Sequence, residues 1–157
     1  MLAAWFSSSI RGEAHQWIGL AAAGLVALRL IYGLVGSRYA RFRQFVKSPL
    51  TIFSYVISII SGSERRYLGH NPAGGAMVML LLVAVCATAT TGYLMTTDAY
   101  YGDEFMQGFH SLCAYGTLGL VVLHIGGVVL ASVRHKENLV AAMITGEKRQ
   151  AAGDDVA

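Results

Sequence analysis

His110 and His124 lie inside one apolar run, with no Asp, Glu, Lys or Arg between them. An imidazole can ligate a metal, relay a proton or hydrogen-bond a neighbouring helix. The two are fourteen residues apart, and at 100° per residue a helix brings the second back to within about 40° of the first. They therefore share one face, about 21 Å apart along the axis at a rise of 1.5 Å per residue. That places them near opposite edges of a hydrocarbon core about 30 Å thick. A second apolar run repeats the spacing with His15 and Arg29. Ionisable groups at membrane depth are costly, so two matched pairs of them mark a site.

The elements that position these residues follow from composition. The chain has 157 residues, of which 55% are apolar and only 13% charged. That is one domain, too apolar for a soluble one. Three runs, about Trp17–Val35, Ala76–Met95 and Phe109–Val133, are long enough to cross a bilayer. The expected fold is an all-α membrane protein, an up-and-down transmembrane helical bundle over residues 1–148. Residues 149–157 are expected to form a disordered polar tail. Met1–Ser9 is apolar and too short to span, so it reads as the remnant of a helix that begins upstream of Met1, a start that would make the bundle even-numbered.

Charge sets the expected sidedness. Arg38, Arg41, Arg43, Lys47, Arg65 and Arg66 fall between the first two spans, and Arg134, Lys136, Lys148 and Arg149 follow the last. The loop between the second and third spans carries Asp98, Asp103 and Glu104 and no base. The positive-inside rule puts the basic loop and the C-terminus on the cytoplasmic side and the acidic loop outside. It also accounts for the net charge of +3 without nucleic acid. Ser48-Pro49 caps a short helix ending at Gly62, too short to span and expected at the interface. Asn71-Pro72 repeats that start for the second span, whose Thr88, Thr90 and Thr91 are expected to bond their own helix carbonyls. Cys86 and Cys113 lie within spans, in no metal-binding spacing.

The first and third spans run in the same direction, so His15 and His110 sit at one depth, and Arg29 and His124 at another. Two histidines from two helices at one level can ligate a metal from opposite sides. A haem fits best, held by bis-imidazole ligation in a groove of small residues at Gly19, Ala22, Gly116 and Gly119. His124 marks a second site, with Arg29 placed to pair with a carboxylate such as a haem propionate. Met95 or Met106 is an alternative axial ligand. Two other classes remain open on the residues alone: a non-haem assembly or scaffold subunit using histidines as interhelical glue, and a small proton-coupled transporter.

Four stretches carry a resemblance: Glu13-Ala-His15-Gln-Trp-Ile-Gly, Arg29-Leu-Ile-Tyr-Gly-Leu-Val-Gly-Ser-Arg-Tyr-Ala-Arg-Phe, Tyr67-Leu-Gly-His-Asn-Pro-Ala-Gly-Gly-Ala-Met and His135-Lys-Glu-Asn-Leu-Val-Ala-Ala-Met-Ile-Thr-Gly. Together the chain resembles the bacterial cytochrome b-561 and nickel–iron hydrogenase b-type cytochrome family from Met1 to about Lys148. The resemblance implies a four-helix bundle with two b haems, His15 and His110 holding the outer one and His124 one side of the inner. The family's first helix carries a further histidine in a Phe-His-Trp-like motif, which this chain lacks. The implied role is an electron-transfer subunit rather than a stand-alone catalyst. It would pass electrons between the quinone pool and a redox partner such as a c-type cytochrome or a hydrogenase.

Overall fold

The computed structural model describes residues 13–37, 41–67, 69–145 and 156. The N-terminal remnant at Met1–Ser9 and, apart from Val156, the tail 149–157 lie outside them. Three helices dominate: α1 (Glu13–Val35), α4 (Pro72–Leu94) and α5 (Glu104–Arg134). Each is apolar enough to span, and their lengths of 23, 23 and 31 residues correspond to about 35, 35 and 46 Å. Both figures exceed a hydrocarbon core of about 30 Å. The shorter helices are α2 (Phe42–Phe45), α3 (Pro49–Ser61) and α6 (Leu139–Thr145). No strand element is formed among the described residues. The chain is thus an all-α membrane bundle, as the apolar periodicity implied.

Local signals set the boundaries. Ser48 Oγ accepts the Thr51 N–H at 3.3 Å, Pro49 opens α3, and Gly62 closes it at φ +68°. Asn71 Oδ1 accepts the Gly74 N–H and Pro72 opens α4. Asp103 caps α5 through the Met106 N–H, an end that the sequence alone placed five residues later. Glu104 in the first turn of α5 and Arg134 in the last complement its dipole. Beyond α5, Lys136 takes a left-handed conformation at φ +49°. The Glu137 N–H then reaches back to the Ser132 carbonyl and the Lys136 N–H to that of Val133. This Schellman turn reverses the chain and carries Glu137 back beneath the bundle.

The spans pack in series. α4 lies against both α1 and α5, with its longest contact along α5. The start of α1, the end of α4 and the start of α5 meet, since the rings of His15 and His110 face one another and Thr91 bonds His110. An up-down-up arrangement is the only one that does this. Few large apolar side chains are buried: Phe45, Tyr55, Val85 and Met106 among the described residues. Trp17, Leu25, Leu34, Leu112 and Val133 are each about two-thirds exposed. In water such a surface would aggregate, whereas in lipid it is solvated.

At the far end the connection 41–71 folds under the bundle. Gly75 is required there, because a side chain would run into the Phe45 carbonyl. The Phe42 ring likewise fills the space a side chain at Gly33 would need. The short apolar helix α3 packs on α4.

Candidate functional site

His15 and His110 are brought together from helices 95 positions apart in sequence, with ring centroids separated by 6.2 Å and planes at 86°. The distance is one that an edge-to-face ring contact shares with ligation of a common metal. A metal–imidazole bond is about 2.0 Å, and a ring centroid lies about 1.1 Å behind its nitrogen, so two imidazoles on one metal put centroids about 6.2 Å apart. Each ring plane must contain its own metal–nitrogen axis, which leaves the angle between planes free. Perpendicular rings therefore suit one shared metal as well as parallel ones.

The His110 ring leans on α4. Its Nδ1 is 3.0 Å from Thr91 Oγ1. Thr91 also donates to its own helix, with Oγ1 at 2.8 Å from the Ala87 carbonyl and 3.0 Å from that of Thr88. Beside it, a side chain at Gly92 would stand 3.1 Å from His110 Cε1, so glycine lets the ring approach the backbone. One helical turn deeper, Thr88 Oγ1 meets the fully buried Thr117 Oγ1 at 3.1 Å. Thr88 and Thr91 do bond their own helix carbonyls, as their type implied. What the sequence did not show is that Thr91 also bonds the imidazole. The available signal was depth: Thr91 lies near the end of its span and His110 near the start of its own, three and six residues from the helix ends.

The expected groove of small residues divides. Gly19 and Ala22 follow His15 by four and seven positions, so they lie within about 40° of it. Gly116 and Gly119 are exposed. At 100° per residue they sit about 120° and 180° away from His110. The small side chains that share the His110 face are instead Cys113, Ala114 and Thr117. The two alternative methionine ligands also part, since Met106 is buried and Met95 is half-buried beyond the end of α4.

The other expected site is differently built. His124 is half-buried on α5, and no second imidazole faces it among the described residues. The Arg29 guanidinium lies over the Phe42 ring at 5.2 Å. His70 stacks at 4.9 Å on Phe45. This end is dense in ion pairs. Arg66 grips Glu137 through Nε and Nη2 at 3.0–3.1 Å, both side chains being less than a tenth exposed. Arg134 donates to Glu64 at 2.8 Å and to the Ile59 carbonyl at 2.6 Å. The Val156 N–H bonds the Arg66 carbonyl at 2.9 Å. Burial, then the charge of Glu64 and the neighbouring Tyr67, pushes the Tyr55 hydroxyl up to about 12.

No cluster of three or more His, Cys, Asp or Glu able to hold a bare metal ion occurs among the described residues. Two imidazoles at this separation are instead compatible with a metal whose remaining positions a planar macrocycle fills. Among known families, the one described as prokaryotic cytochrome b561 matches residues 1–146 of the chain. No curated protein and no solved structure gives a significant match.

Proposed function

The chain belongs to the prokaryotic cytochrome b561 family, and from that premise we propose that His15 and His110 are the two axial ligands of one haem b. The family makes it a multi-pass membrane b-type cytochrome that works in electron transfer. The single observation that carries the ligand assignment is the 6.2 Å separation of the two imidazoles. In this reading the haem supplies one-electron chemistry when bound, and the protein supplies ligation, spacing and a low-dielectric setting. His15 and His110 hold the iron between α1 and α5. Gly19 and Ala22 keep the α1 side thin enough for a flat ring. The exposed apolar faces of the spans meet lipid.

His124 serves as one ligand of a second haem, with Arg29 close enough to meet a propionate from above the Phe42 ring. Electrons pass between the quinone pool and a redox protein partner, a c-type cytochrome or a hydrogenase being of the right kind. The basic connection and the C-terminus face the cytoplasm of a bacterial inner membrane, because Lys and Arg concentrate there.

Visible spectroscopy of the purified chain tests the assignment. The expected result is sharp low-spin b-type bands in the reduced-minus-oxidised difference spectrum, lost in both His15→Ala and His110→Ala. A variant at either position with the parent's full haem content removes that histidine from the site.

A further inference from the structure

We propose that Thr91 is a positioning residue for the His110 ligand: its hydroxyl locks the imidazole in the Nδ1–H tautomer and thereby tunes the bound iron. The inference rests on the reading that His110 ligates a haem.

The argument is a count of protons. A threonine hydroxyl has one proton and two lone pairs. Thr91 Oγ1 has three neighbours at hydrogen-bond distance: the Ala87 carbonyl at 2.8 Å, the Thr88 carbonyl at 3.0 Å and His110 Nδ1 at 3.0 Å. Both carbonyls can only accept, so the hydroxyl proton goes to them. The oxygen then offers a lone pair to Nδ1, and the contact is a hydrogen bond only if Nδ1 carries the ring proton. A neutral imidazole has one N–H, so the remaining lone pair sits on Nε2.

The contact is well protected. Thr91 is 5% exposed, and the glycine at 92 lets the ring lie against α4. A turn away, the Thr88 and Thr117 hydroxyls make a separate contact between α4 and α5 that does not touch the ring. Nothing in this arrangement needs a metal to form, so the donor nitrogen is set before any haem arrives.

The consequence for a bound iron has a sign. A ligating histidine that donates its second N–H to an acceptor is a more basic ligand. A more basic ligand favours the more highly charged, oxidised iron. Removing the acceptor should therefore raise the potential of the His15–His110 haem.

The test is a redox titration of the purified, haem-loaded full chain, with haem content per protein measured alongside. Thr91→Val keeps the shape and removes the hydroxyl, and Thr91→Ala removes it without the branched side chain. Both are expected to move the titration to higher potential, changing the reduced-to-oxidised ratio at a fixed applied potential roughly three- to tenfold, tenfold being 59 mV for one electron. Thr91→Ser restores the hydroxyl and should return the parent's curve. Thr88→Val removes a hydroxyl that links the same helices through Thr117, and should leave the curve in place. Loss of haem in Thr91→Val with retention in Thr91→Ser supports the proposal equally. Superimposable titrations of Thr91→Val and the parent overturn it, as does a Thr88→Val shift of equal size or a Thr91→Ser curve that stays displaced. A parent protein that binds no haem overturns the haem reading itself, and that outcome needs no variant to see.

Discussion

The two ends of the bundle solve different problems with the same three spans. At the His15 end, neutral polar groups from three helices converge: two imidazoles, the Thr91 hydroxyl and, a turn deeper, the Thr88–Thr117 pair. At the Arg134 end, charge is concentrated and paired, with Arg66 on Glu137 and Arg134 on Glu64. The difference teaches that one end is shaped to hold something between helices, and the other to hold helices and loops to each other. Two imidazoles held this close by different helices suit a shared metal. Arg66 engages both oxygens of Glu137, while Arg134 engages one oxygen of Glu64, whose other oxygen is buried without a hydrogen bond.

If that division is right, substitutions at the two ends should fail in different ways. His110→Ala is expected to have the largest effect, abolishing most haem binding while the protein still inserts and stays folded in detergent. His124→Ala should leave the low-spin signal of the His15–His110 haem intact. Equal losses of haem in the two variants, read from the difference spectrum, would erase the distinction between the ends.

The reverse experiment sits at Arg66–Glu137. Glu137→Gln keeps the shape and leaves a buried guanidinium without its carboxylate, which costs about 3–5 kcal/mol when one partner of a buried pair is removed. Thermal unfolding in detergent should fall accordingly, with the haem spectrum of the surviving folded protein unchanged. Adding Arg66→Met should recover part of the loss, because the stranded charge is then gone. Recovery of none of it would mean that Arg66 matters to this end for other reasons than the pair.

Arg29 tests the proposed second site. A unit charge about 10 Å from an iron at an effective dielectric of 20 is worth about 1.7 kcal/mol. Arg29→Leu should therefore lower the potential of a haem at His124 by no more than about 20-fold in the reduced-to-oxidised ratio. If only the titration of the His15–His110 haem moves, Arg29 does not serve the second site.

Most of the fold could be read in the chain because its signals are local. The spans are long apolar runs, and Ser48-Pro49, Gly62 and Asn71-Pro72 each act through hydrogen bonds to residues a few positions away. The His15–His110 pairing could also be read, since equal fourteen-residue spacings on co-directional spans fix equal depth. The start of α5 was missed because Asp103 and Glu104 look like loop residues until the cap is seen. Gly116 and Gly119 were misplaced because small size was taken without asking which face of the helix carries it. Thr91 and the Arg66–Glu137 pair depend on how far one helix is rotated against another, and on a chain reversal through a left-handed lysine. Neither has a short-range signature.

The smallest expected effect is the pH dependence of the Arg134–Glu64 contact. Burial alone would raise the Glu64 carboxyl. The hydrogen bond from Arg134, its own backbone N–H and the charges of Arg134 and His135 outweigh it and hold the group below its ordinary range. A depressed carboxyl binds protons less readily folded than unfolded. Its contribution is therefore present above the ordinary carboxylate range and is lost as pH falls through the folded value. Arg134 is a third exposed and keeps the Ile59 carbonyl as a second partner, so the pair is worth no more than about 1 kcal/mol. Thermal unfolding should separate Glu64→Gln from the parent near pH 7, and the gap should close in strong acid, where the parent's carboxyl is protonated too. A gap of constant size across that range would make Glu64 a matter of shape rather than charge.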